Sequence, residues 1–127
     1  MISKKDILYI TKETEKIQSL FNNGNFERVI HKTKILLKKD LKQSLFYNLI
    51  GLSYRQLNNL DVAEKTFKLG LEAQPNSTSI LVNLGAMYRA QERFDEAKKF
   101  IQKALDINQN SFSALVNYAN VLRDLNQ

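Results

Sequence analysis

The chain has no cysteine, one proline, one histidine and only four glycines in 127 residues. Without cysteine, disulfides and thiolate metal sites are excluded, and an intracellular reducing compartment fits. A single histidine cannot complete the usual zinc ligand set. That residue, His31, lies among lysines on what should be an outward helix face. The glycines stand singly, so there is no phosphate-cradling loop. The carboxylates are scattered, with no converging pair for acid–base work. No catalytic residue, cofactor or metal is expected, and the chain reads as a non-enzyme. The opening segment has an apolar run of only four residues, too short for a signal peptide or a membrane span. A cytoplasmic location is the expectation.

The scarcity of glycine and proline also argues against a β-rich or linker-rich chain. Hydrophobic residues make up 43% and charged residues 25%, an ordinary balance for one globular domain. A chain of this length buries roughly two-thirds of its unfolded surface. The net charge of +6 is unevenly placed: residues 1–43 carry ten Lys/Arg against five Asp/Glu. A basic first third suits either a solvated lysine face or an acidic partner. A nucleic-acid surface in residues 28–42 is the weaker alternative, because no aromatic side chains interleave the lysines of 32–42 to stack bases.

What the chain does have is one pattern written twice at a spacing of 34. Gly51 recurs as Gly85, Tyr54 as Tyr88, Arg55 as Arg89, Asp61 as Asp95, Ala63 as Ala97 and Leu71 as Leu105. Asn76-Ser77 recurs as Asn110-Ser111. Tyr47, Ile50, Gly51 and Tyr54 fall on one helical stripe, and Leu60, Ala63, Phe67, Gly70 and Leu71 fall on a second. Gly51 and Ala63 are small enough for paired helices to approach closely. A period of about 34 with these residues marks stacked helical hairpins.

The stretches YNLIGLSYRQL…LDVAEKTFKLGLEAQP and LVNLGAMYRA…FDEAKKFIQKALDINQ resemble tetratricopeptide repeats. The resemblance implies an all-α, right-handed superhelix of antiparallel helix hairpins, three hairpins plus a final helix. Helices are expected over 3–22, from Phe26, and over 43–57, 60–73, 77–90, 94–107 and 111–125. Residues 1–127 then form a single domain: a degenerate repeat 10–43, repeats 44–77 and 78–111, and a half repeat 112–127. On the last helix, Leu115, Tyr118, Ala119 and Leu122 stand in the buried places, and the absent partner helix should leave part of them uncovered. The chain is accordingly expected to be a fragment of a longer protein, or to self-associate through residues 112–125.

The resemblance also implies a protein–protein interaction scaffold whose concave groove binds a peptide or protein segment. Arg55, Arg89 and Arg123 form a column at the repeat spacing. They share helical stripes with Asn48 and Leu52, Val82 and Ala86, Val116 and Asn120. Asn83 and Asn117 form a neighbouring column. It is similar to the asparagine ladder of protein O-GlcNAc transferase, although Leu49 fills the matching place one repeat earlier. The two-carboxylate clamp of chaperone-binding members is not matched, since its places hold Thr14, Gln18, Leu52, Val82 and Ala86. The expected peptide contacts are Asn48, Leu52, Arg55, Asn83, Arg89, Asn117, Asn120 and Arg123, with an acidic ligand favoured. Two bland roles stay open: a last-turn arginine gains about 0.3–1 kcal/mol from the helix dipole or pairs with a nearby acid, and the asparagines could bridge adjacent helices. An alternative assignment is an N-terminal module of a larger bacterial transferase, of sulfotransferase or glycosyltransferase type, that positions substrate or mediates assembly.

Overall fold

The computed structural model describes residues 2–39 and 43–126. The ends of the degenerate repeat and of the basic stretch, at 40–42, and the final Gln127 lie outside the described residues. Among the described residues seven helices follow one another: α1 (Lys4–Asn22), α2 (Phe26–Leu37), α3 (Ser44–Gln56), α4 (Leu60–Ala73), α5 (Thr78–Ala90), α6 (Phe94–Ile107) and α7 (Phe112–Leu125). There is no strand among the described residues, and no helix among them is long and apolar enough to cross a membrane.

The starts and stops have local causes. Ser3 and Asp6 form a reciprocal capping box on α1, with Asp6 N–H donating to Ser3 Oγ at 3.1 Å and Ser3 N–H to the Asp6 carboxylate at 3.3 Å. The hydrogen bonds from Ser3 hold the Asp6 carboxyl below its ordinary range. Ser77 and Ser111 cap α5 and α7 by accepting from Ile80 and Ala114 N–H. Inside each hairpin the chain turns at a residue with positive φ: Gly24 at 79°, Asn58 at 60° and Glu92 at 60°. The 5-residue back-bonds Asn25→Leu20, Asn59→Tyr54 and Arg93→Tyr88, at 2.8–2.9 Å, close all three turns in the same way. The repeat spacing of 34 is thus written into the backbone from the first hairpin to the third.

Helices pair antiparallel as α1/α2, α3/α4 and α5/α6, and each second helix also packs on the next first helix. The first helices α3, α5 and α7 run side by side, whereas α1 makes its extended contact with α2 alone among the described residues. At the crossings there is no room for a side chain. A Cβ on Gly51 would lie 2.5 Å from Phe67 Cε1, and one on Gly85 would lie 2.5 Å from Ile101 Cγ1. The main core gathers Ala63, Phe67, Leu81, Leu84, Tyr88, Ala97 and Ile101, all fully buried. A smaller cluster of Ile17, Val29, Leu36, Phe46 and Leu49 holds α1 and α2 against α3.

Ile7, on the apolar side of α1, is 54% exposed, because the 19-residue α1 overruns the 12-residue α2. The buried places expected on the last helix need correction. On α7 the buried residues are Ala114 and Val121, while Leu115, Ala119 and Leu122 are exposed and Tyr118 is half-buried. Ala114 and Val121 join the main core cluster. No second helix among the described residues covers the other stripe.

Candidate functional site

The row of first helices forms a groove of about 750 Å³ lined by Arg55, Ala86, Arg89, Ala90, Glu92, Phe94, Asn117 and Asp124. Three residues expected from the sequence, Arg55, Arg89 and Asn117, meet here. Arg55 comes from the last turn of α3 and Arg89 from the last turn of α5, one repeat apart. Arg89 is engaged: its Nε donates to Asp124 Oδ2 at 2.5 Å, with both side chains partly exposed. Arg123 is exposed and donates through Nη2 to Asn120 Oδ1 at 3.0 Å on its own helix. No ion pair or hydrogen bond engages the Arg55 side chain among the described residues.

The asparagines divide. Asn48 is only 8% exposed and sits in a polar bridge between α3 and α5. Its Nδ2 donates to Ser79 Oγ at 2.8 Å, and its Oδ1 accepts from Asn83 Nδ2 at 2.9 Å. Asn117 donates to the Ser113 carbonyl at 2.8 Å within α7. The Oδ1 acceptors of Asn83 and Asn117 take no hydrogen bond among the described residues, so each retains acceptor capacity. Asn83 also lines a smaller hollow of about 210 Å³ with Thr78, Ser79, Val82, Ser111 and Ser113. Leu52 is half-buried and packs against the main core.

Sequence reasoning placed Ala86 on the arginine stripe but missed Asp124, Glu92, Phe94 and Ala90 as groove residues. A signal existed. Side chains of adjacent first helices meet at a spacing of 35, as in Asn48–Asn83 and Arg89–Asp124. That is one residue beyond the repeat, so columns drawn at 34 do not show the pairs.

A second polar cluster lies between the hairpins. Tyr88 Oη donates to Glu64 Oε1 at 2.5 Å, and Arg93 pairs with Glu96 at 2.7 Å and Glu64 at 3.4 Å. The Arg93 guanidinium also stacks 4.2 Å from the Tyr88 ring centroid. Burial pushes the Tyr88 phenol far above its ordinary value, and the Glu64 hydrogen bond adds to this. Burial alone would raise Glu64, but the hydrogen bonds from Tyr88, Lys68 and Arg93 outweigh it and hold the carboxyl below its ordinary value. A phenol so held stays protonated, so the cluster is a clasp joining α4 to α5 and α6. His31 is exposed on α2.

Residues 45–77 and 79–111 each match a family profile described as tetratricopeptide repeat, together just over half of the chain. A comparison with curated proteins finds no match. Solved structures share the fold. The first TPR of Spaghetti (RPAP3), bound to the HSP90 peptide SRMEEVD, superposes with a TM-score of 0.80 at 21% identity, over 92% of this chain and 93% of that one. The Sgt2 TPR domain from Aspergillus fumigatus gives 0.82 at 13% identity, over 91% and 78%. The second TPR domain of human RPAP3, in complex with the HSP70 peptide SGPTIEEVD, gives 0.75 at 16% identity, over 87% and 92%. With two successive repeats matched and seven helices among the described residues stacked in the same superhelical fold, the chain belongs to the tetratricopeptide repeat family.

Proposed function

We propose that the groove along α3, α5 and α7 binds an extended or helical segment of another protein, one with acidic character. The observation that carries this reading is the meeting of Arg55, Arg89 and Asn117 in one open groove. Guanidinium groups are suited to carboxylates, and the Asn83 and Asn117 acceptors are suited to peptide N–H groups. Asn120 and Arg123 extend the polar surface toward the end of α7, and Leu52 lies beside it on α3. Asn48, tied to Asn83 and Ser79, serves chiefly to hold α3 and α5 in register. Two of the structural neighbours are complexes with acidic peptides, which supports a peptide ligand. The clamp places that hold Thr14, Gln18, Leu52, Val82 and Ala86 argue that this groove reads its ligand through other residues.

The test is a peptide array followed by replacement of Arg55, Arg89 and Arg123 with alanine. Binding of selected segments should fall while thermal unfolding stays nearly unchanged. A strong shift in unfolding with undiminished binding would contradict the reading.

A second reading concerns α7. Phe112 is 80% exposed and Leu115 47%, whereas Leu81, the counterpart of Leu115 on α5, is fully buried. Exposed apolar patches of a few hundred Å² commonly become contact sites. Self-association through residues 112–125 is the contact this surface favours.

A further inference from the structure

We infer that Arg55 holds one side-chain carboxylate of the bound segment, seated over Ala90 in the place that Asp124 takes on Arg89. This rests on the groove reading above and narrows its ligand. Adjacent first helices bring residue i beside residue i+35, as the Asn48–Asn83 and Arg89–Asp124 contacts display. The same step from Arg55 lands on Ala90, the exposed last residue of α5. Both line the groove. One repeat therefore answers its arginine with a carboxylate, and the preceding repeat answers an equivalent arginine with a methyl group. The guanidinium left over is a planar fork of donors with the geometry to take a carboxylate.

The surroundings limit how much acid fits. Glu92 lines the same groove and repels a second carboxylate placed beside the first. Asp124 already engages Arg89. The chemistry specified is a single aspartate or glutamate side chain rather than an acidic run. Ala86 and Phe94 offer apolar surface to the residues flanking it.

The test uses the isotope-labelled full chain at low salt and reads the arginine Nε–Hε resonances by NMR. The probes are acetyl-Ser-Gly-Glu-Gly-Ser-amide and its counterpart with glutamine in place of glutamate. The glutamate probe should move Arg55 and leave Arg89 in place, and the glutamine probe should move neither. Ala90→Asp fills the subsite from within, so affinity for the glutamate probe should fall about tenfold, the scale of one charge-assisted hydrogen bond. Ala90→Asn should retain binding. Asp124→Asn should make Arg89 respond as a second site. In Arg55→Gln, followed through the backbone amides of the groove residues Ala86 and Ala90, the glutamate probe should cause no shift, and because α5 is unaltered this guards against an effect of Ala90→Asp on folding. Undiminished binding in Ala90→Asp or Arg55→Gln, or an equal response to both probes, overturns the assignment. That result leaves the groove reading standing if array-selected segments still perturb α3, α5 and α7. If they perturb none of these helices, the groove reading falls as well.

Discussion

Helices α5 and α7 carry the same stripe one repeat apart, and only one of them is buried. Leu81, Leu84, Gly85 and Tyr88 are all enclosed, while Leu115, Ala119 and Leu122 at the matching places are exposed and Tyr118 is half-buried. Both helices begin with a serine cap and both pack along the neighbouring first helix. The difference is α6, which covers α5 and has no counterpart over α7 among the described residues. In a stacked-hairpin protein, burial belongs to the pair of elements and not to the stripe that either one carries.

The comparison breaks hardest at the close crossing. Gly85→Leu should destabilise by about 1–3 kcal/mol or more, since its first side-chain atom already meets Ile101. Ala119→Leu, which puts a leucine at the matching place on α7, should stay within about 0.5 kcal/mol. Urea unfolding of both variants checks the pair, and equal effects would mean that α7 is as enclosed as α5.

Next in size is the clasp that α5 has and α7 lacks. Tyr88→Phe removes the donor to Glu64 and should cost about 1 kcal/mol at neutral pH. Glu64 is depressed below its ordinary value of 4.5. Its contribution is therefore fully present above that value and is lost as pH falls through the lower folded-state value. Acid unfolding of Glu64→Gln should show a flatter fall of stability across that window than the parent chain does.

A smaller effect of opposite sign is expected at the turn. A left-handed conformation costs an ordinary residue about 1–2 kcal/mol, and glycine's greater unfolded freedom offsets part of that relief. Glu92→Gly should therefore stabilise by about 0.5–1 kcal/mol. Asn58→Gly should do less, because asparagine tolerates this conformation. Thermal melts of the two variants give the ordering. The smallest effect belongs to Leu122→Lys, which should leave monomer stability within about 0.5 kcal/mol. In sedimentation it should remove any concentration-dependent association through α7, and association that persists would place the contact elsewhere.

Most of the fold was legible because the causes are local and periodic. The spacing of 34 set the helix pairs, the serine caps and the glycine crossings, and each expected helix begins within a residue of its place, as do the ends expected for all but the second. Glu92 was readable as a turn but not as a left-handed residue, because glutamate carries no signal for that conformation. The exposure of Leu115 was legible in part, from the absence of a partner helix, but the burial of Ala114 and Val121 beside it was not, since it depends on how α7 packs on the stack. The groove was half legible. The arginine column follows from the period, but the Arg89–Asp124 contact follows from the one-residue offset between neighbouring first helices. Only the packed helices reveal that offset.

The groove is tested most directly by chemical-shift mapping of the labelled chain with an array-selected acidic segment. Perturbations should follow Arg55, Arg89, Asn117 and their neighbours on α3, α5 and α7, and should weaken in Arg55→Gln. Perturbations confined to the outer helices α2, α4 and α6, or to the apolar stripe of α7, would contradict binding in the groove.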